Sequence, residues 1–153
     1  MNYLTEAEKG YLAGIIDGEG CIRLARKKKK KINVYVACVI VTNTNLELLQ
    51  FLKDTTAIGI IYKYEKAGKQ NWNPCHRWQI VTKQARELLE ILLPYLRLKK
   101  EVARLVLSSP IISKGWKLKG YPIKSLKSEQ ETIFYKIKEL NFRGIQSLSP
   151  KEI

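Results

Sequence analysis

The stretch Leu12-Ala13-Gly14-Ile15-Ile16-Asp17-Gly18-Glu19-Gly20 constrains this chain more than any other, with three glycines and two acids in nine residues. On a helix of about 3.6 residues per turn, Leu12, Ile15 and Ile16 fall together as a face toward the core. Gly10, Ala13, Gly14 and Asp17 fall on the opposite side. That ridge is nearly bare of side chains, so a second backbone can approach it closely. Thr5 with Glu8 three residues later forms a capping box that starts the helix. The pattern predicts a helix that stops at Gly18, with both faces buried and the Glu19 carboxylate at its tip.

Charge decides what such a chain meets. There are 28 Lys plus Arg against 14 Asp plus Glu, a formal net charge of +14. A surplus of that size in one domain of 153 residues points to a polyanion, and nucleic acid is the commonest. The length suffices to bury roughly two thirds of the unfolded surface. An anionic membrane is the weaker partner, because no amphipathic helix concentrates its lysines on one face. The chain shows no apolar run of spanning length and no signal peptide, so it is expected inside the cell. Cys21, Cys38 and Cys75 are an odd number at wide spacing, which suits neither a disulfide framework nor a paired-cysteine zinc site. They read as reduced, semi-buried thiols. His76 is the only histidine, too little for a histidine-based metal or nucleophile site.

In chain order, residues from about Cys21 to Lys30 alternate imperfectly, with Ile22 and Leu24 on one side and Arg23, Ala25 and Lys27 on the other. The run Lys27 to Lys31 reads as a hairpin tip, since adjacent lysines repel and do not sit in a core. The β-branched run Val34 to Thr42 pairs back as a second strand. Leu46, Leu49 and Leu52 then recur at helical spacing, with Leu48 beside them. A second pair of strands is expected at about Ile60 to Lys66 and Arg77 to Val81. Helices follow around Leu88 to Leu93 and Val102 to Val106. From Pro110 to Lys127 the chain reads as an extended basic connection with Trp116 and Tyr121 interleaved. Ser128 with Glu131 is a second capping box, opening a last helix with Ile133, Ile137 and Leu140 on one face.

The expected fold is α+β. An αββαββα core to about residue 108 carries a four-stranded antiparallel sheet backed by helices, and C-terminal helices lie in an extension from about residue 109. Helices on one face leave the other free, and that open face carries Arg23, Lys27 and Lys29. Curved sheets of this kind enter the DNA major groove, where alternate side chains reach base edges. Lys66 and Arg77 from the second hairpin are candidate DNA contacts, while the parity with which the third and fourth strands face outward is not readable from the sequence.

The nine-residue stretch occurs once, so a bare ridge at Gly10, Ala13, Gly14 and Asp17 finds its partner only on a second copy. A two-fold homodimer brings two Glu19 side chains near one another. Paired carboxylates bearing hard divalent cations suit phosphodiester hydrolysis. Mg2+ is the expected ion, with Mn2+ as its substitute, because soft ligands are lacking.

The stretch resembles the LAGLIDADG motif of homing endonucleases at Leu12, Ala13, Gly14, Ile16, Asp17 and Gly20. Ile15 stands for leucine, and Gly18 and Glu19 stand for alanine and aspartate. The resemblance to the single-motif, homodimeric branch extends along most of the chain as one domain over 1–153. It implies that Glu19 binds metal with help from the Gly18 carbonyl. Val41-Thr42-Asn43 matches a strand end whose polar residue positions water, which gives Asn43. Pro94-Tyr95-Leu96-Arg97-Leu98-Lys99 matches a run whose lysine joins the site, which gives Lys99. A basic residue sometimes follows one helical turn after the water-positioning one, and here that place holds Glu47. The implied activity is site-specific, metal-dependent cleavage of double-stranded DNA at a long pseudo-palindromic target, in an intron-homing context. An RNA-splicing maturase and a non-cleaving DNA-binding protein use the same fold and remain the alternatives. Retention of Glu19 and Lys99 favours cleavage, since binding alone has no need of an acid that repels phosphate.

Overall fold

The computed structural model describes residues 2–29, 32–64, 74–111 and 123–142. The expected Lys66 contact, the tip lysines 30 and 31, Trp116 and Tyr121 lie outside the described residues. Nine elements follow in order among the described residues: α1 (Glu6–Glu19), β1 (Gly20–Lys29), β2 (Ile32–Asn43), α2 (Leu46–Thr56), β3 (Ile60–Tyr64), β4 (Cys75–Val81), α3 (Thr82–Leu92), α4 (Lys100–Ser108) and α5 (Ile123–Leu140). The αββαββα order is therefore present, followed by two further helices.

Helix α1 starts as the sequence dictates. The Thr5 hydroxyl accepts the Glu8 N–H at 3.3 Å, and Glu8 accepts the Thr5 N–H at 2.8 Å, so two otherwise orphan donors are satisfied reciprocally. The helix runs one residue past expectation, to Glu19. It turns directly into β1 because a Cβ at Gly20 would lie 2.6 Å from the Ile16 carbonyl oxygen and 2.8 Å from Ile16 Cα. Close approach requires glycine there, since its backbone is ordinarily extended (φ −84°).

All strand pairs are antiparallel, in the order β1-β2-β4-β3. The register sorts side chains into two faces, because successive residues of a strand alternate. Ile22 pairs with Val39 and Leu24 with Ala37, while Val39 and Val41 pair onward with Ile80 and Trp78. All of these are buried beneath the helices. Trp78 is fully buried and its indole N–H donates to the Ile58 carbonyl at 3.0 Å, so its polar end is satisfied. Leu12, Ile16, Leu49, Leu52, Leu88, Leu89, Leu92, Val102 and Val106 join it in one core.

The opposite face follows from the same parity. It carries Cys21, Arg23, Ala25 and Lys27 of β1, paired with Ile40, Cys38, Val36 and Val34 of β2. Lys29 holds the same parity, opposite Ile32. From the second hairpin it takes Cys75, Arg77, Gln79 and Val81 of β4 and Ile60, Tyr62 and Tyr64 of β3.

One boundary expectation changes here. Helix α5 already runs from Ile123, so Ser128 lies inside it and is no cap. The Ser128–Glu131 spacing fits a mid-helix pair equally well, and Ser128 offers its carbonyl to the Thr132 hydroxyl at 3.0 Å. Ile137 is buried, whereas Leu140 and, in α2, Leu46 are exposed. Helix α5 is tied to the core by Asn141, which donates to the Ile22 carbonyl at 2.9 Å, and by Tyr35 packed on Phe134. All three cysteines are free thiols. No helix among the described residues is long and apolar enough to cross a membrane.

Candidate catalytic centre and nucleic-acid face

The C-terminal turn of α1 breaks a simple electrostatic rule. The helix dipole places partial negative charge there, so cations are favoured and acids are not. This turn nevertheless carries Asp17 and Glu19 and no basic residue of its own. The two acids resolve the conflict differently.

Asp17 is buried, with 8% of its surface exposed, and its carboxylate faces the segment after α3. Oδ2 accepts the Arg97 N–H at 2.7 Å and Oδ1 accepts the Lys99 N–H at 2.9 Å. Lys99 returns the contact: its ammonium donates to the Ile16 carbonyl at 2.9 Å and to the Asp17 carbonyl. With 7% exposure, Lys99 brings into the last turn of α1 the cation that the helix lacks. Glu19 is exposed, two residues beyond this contact, where the chain enters β1.

Burial corrects the expected ridge on α1. Ala13 is 1% exposed and packs in the core with Leu12 and Ile16, and Asp17 is held as above. Neither side chain presents open surface. The reason is angular: the buried arc from Leu12 through Ile16 and Ala13 to Asp17 is wider than the apolar residues alone suggest. Gly10 and Gly14 stay on the open side, joined one turn later by Gly18. A Cβ at any of these three would meet nothing within 4 Å among the described residues, so the open ridge is Gly10-Gly14-Gly18. Tyr11, stacked edge-on against Phe51 of α2 at 5.3 Å, stands exposed beside that ridge.

Gly20 pairs with Val41 where β1 begins, which sets the α1 tip near the end of β2, where Asn43 lies. Asn43 Oδ1 accepts the Asn45 N–H at 2.9 Å, a local turn that leads the chain into α2. The cap of α2 is Asn45 itself, which accepts from the Leu48 N–H at 3.1 Å. Glu47 is exposed on the first turn of α2.

On the open face Arg23 and Lys27 are exposed at the outer edge of the sheet. Arg23 faces Cys38 across the ladder, and burial pushes the Cys38 thiol up while that guanidinium pulls it back. Arg77 is held on two sides. Its guanidinium carbon lies 3.7 Å from the centroid of Tyr64, and its Nε donates to Thr42 Oγ1 at 3.2 Å. Next to it, Tyr62 donates to Gln79 Oε1 at 2.6 Å. These partners went unnoticed in the sequence because the parity of β3 is not readable there; the ladder reveals it. Arg26 has the opposite parity and lies 5.8 Å over the Phe134 ring of α5, so it belongs to the helix side.

Among the described residues no three His, Cys, Asp or Glu side chains group closely enough to hold a metal ion. With Asp17 committed to backbone amides, the described residues offer one exposed carboxylate at this tip, Glu19, next to the Gly18 carbonyl. Those hard oxygen donors suit a hard divalent cation, and oxygens from outside the chain must complete the set.

The sequence matches the LAGLIDADG endonuclease family over residues 12–104. No curated protein matches it. Among solved structures it is similar to the homing endonuclease I-CvuI in complex with the I-CreI target, at TM-score 0.70 and 23% identity, covering 92% of this chain and 85% of that one. It is similar also to the archaeal intron-encoded homing endonuclease I-Vdi141I complexed with DNA, at TM-score 0.63 and 20% identity, covering 93% and 89%. The meganuclease I-SmaMI bound to uncleavable DNA matches at TM-score 0.61 and 15% identity, with 89% of this chain covered but 45% of that one. At these identities the structural likeness establishes the fold, a helix-backed four-stranded sheet.

Proposed function

The chain belongs to the LAGLIDADG endonuclease family, and on that premise we propose that it works as a homodimer, cutting double-stranded DNA at a long, pseudo-palindromic site with a divalent metal. The observation that carries this reading is the α1 tip. An exposed glutamate stands there against the helix dipole, a buried lysine serves the same turn, and an open sheet edged by Arg23 and Lys27 begins beside it.

The dimer reading rests on the Gly10-Gly14-Gly18 ridge, where a Cβ meets nothing within 4 Å among the described residues. Two such ridges packed about a two-fold axis bring the two Glu19 carboxylates together. The coverage of I-SmaMI agrees, since this chain spans 45% of that protein and two copies approximate its length.

On the open face, Arg23, Lys27 and Lys29 engage DNA from the outer strand and Arg77 from the inner pair, and Lys66, which follows β3 in the sequence, is a further contact. Arg77 keeps the Nη end of its guanidinium for a base edge or phosphate, because Nε is bound to Thr42. At the centre, Glu19 with the Gly18 carbonyl holds the metal. Bound Mg2+ or Mn2+ supplies a water of lowered pKa and charge stabilisation at the scissile phosphate. Asn43 orients that water through its amide NH2 and its second lone pair. Lys99 contributes positive charge beside the phosphate, a role Glu47 does not fill.

The test is selection from a randomised duplex library: protein with Mg2+ should release fragments sharing one inverted-repeat site, and Ca2+ should support binding without cleavage. Recovery of uncut, bound DNA alone with Mg2+ would establish a non-cleaving binder instead.

A further inference from the structure

The contact between the end of α1 and the start of α4 is reciprocal, and that reciprocity has a functional consequence. A lysine stem has several rotatable bonds and loses much rotamer freedom when its ammonium is fixed at one spot. Here Lys99 is gripped at both ends. Its main chain is fixed by Asp17 Oδ1 at 2.9 Å, and its ammonium by the Ile16 and Asp17 carbonyls. The second carboxylate oxygen holds the Arg97 N–H at 2.7 Å, so the backbone two residues upstream is fixed as well. Helix α4 then starts from Lys99, whose carbonyl accepts the Ala103 N–H at 2.9 Å. One carboxylate thus joins the end of α1, which carries Glu19, to the start of α4, which carries Lys99.

We propose that Asp17 is a positioning residue for DNA cleavage, setting the Lys99 ammonium relative to Glu19 through the Arg97 and Lys99 amides. The inference rests on the reading of Lys99 as a group that acts at the scissile phosphate. Asparagine at position 17 has one acceptor where two amide donors converge. It leaves a buried N–H unpaired or turns an NH2 against it, and the 97–99 backbone must shift. A displacement of about 1 Å at a reacting centre costs on the order of a hundredfold in rate.

The experiment compares the unmodified protein, Asp17→Asn, Lys99→Met and the double variant. Each is assayed for single-turnover cleavage in Mg2+ and for binding in Ca2+, on a duplex carrying the site that the unmodified protein cuts from a randomised library. Asp17→Asn should slow cleavage on the order of a hundredfold and leave the Ca2+ affinity within about twofold. Added to Lys99→Met, it should cause no further loss, because its effect passes through Lys99. Acetylation of Lys99, read by mass spectrometry, should be slow in the unmodified protein and faster in Asp17→Asn. If Asp17→Asn melts below the assay temperature, Asp17→Glu replaces it. That variant keeps both acceptors on a stem one methylene longer, and the same pattern is expected.

Losses that multiply in the double variant would overturn the proposal, as would unchanged cleavage by the variant at position 17 while Lys99→Met is slow. Normal cleavage by Lys99→Met would instead overturn the reading of Lys99 on which the proposal stands.

Discussion

The two ends of α1 obey opposite rules. At the N-terminus, Glu6 and Glu8 lie in the first turn, where the dipole favours acids, and Thr5 closes a complete capping box. At the C-terminus two acids sit where the dipole disfavours them, and the compensating cation arrives from Lys99, 83 positions from the Ile16 carbonyl it serves. Agreement of local signals marks the end that only has to fold. Their disagreement marks the end at which the catalytic site is proposed.

The strongest way to break this contrast is Glu19→Gln. The substitution keeps shape and removes the charge proposed to hold the metal. Cleavage should fall by about a thousandfold or more, the scale at which a preorganised electrostatic group acts. Binding in Ca2+-free buffer should hold or improve, because a negative charge facing phosphate is gone. A normal cleavage rate for this variant would move the metal site away from α1 altogether.

Next in size is Gly14→Leu. In a single chain the added side chain meets open space, and leucine favours a helix over glycine by about 1 kcal/mol. Monomer stability should therefore rise while the dimer and its cleavage are lost, a pair of opposite signs that sedimentation and thermal melts read together. A variant that stayed dimeric would show that the ridge is not the interface.

How much of this was legible in the sequence depends on distance along the chain. The element order was readable because helical and strand periodicities are local, and so was the Thr5–Glu8 box. The small face of α1 was half readable. Gly10 and Gly14 are open, but side-chain size cannot say that Ala13 touches its own core, since alanine and glycine look alike until the neighbours are placed. The inward side of Asp17 is not readable locally, because its partners, the Arg97 and Lys99 amides, lie 80 and 82 positions away. The outward parity of β3 was unreadable, because Ile60-Ile61-Tyr62-Lys63-Tyr64 does not alternate cleanly between apolar and polar. Its ladder with β4 decides it, and with it the Tyr64 partner of Arg77.

A smaller effect is expected on the sheet. Lys27→Ala should weaken binding to all DNA sequences alike and make the slope of log affinity against log salt shallower by about one unit. Arg77→Ala should relax preference at one position in each half-site. Arg26→Ala, on the helix side, should change neither the slope nor the preference. Equal salt slopes for all three proteins and the unmodified one would mean that the open face is not the DNA face.

The smallest effect belongs to the end of α1 that follows the rules. Thr5→Ala removes the hydroxyl that accepts the Glu8 N–H, and losing such a cap costs about 1 kcal/mol. For a domain of this size that is a drop of about 2–4 °C in Tm. Cleavage rate, salt slope and dimerisation should all be unchanged. The Glu8 carboxyl, held below its ordinary range by the Thr5 backbone and side-chain hydrogen bonds, gives a second reading of the same cap. A depressed folded pKa means that this stabilisation is complete above the ordinary glutamate value and is lost as the pH falls through the lower folded one. The Tm difference between the unmodified protein and Glu8→Gln should accordingly shrink on acidification. If Thr5→Ala slowed cleavage as much as changes at Asp17 or Lys99 do, the N-terminal turn would be part of the catalytic geometry and the division of labour along α1 would not hold.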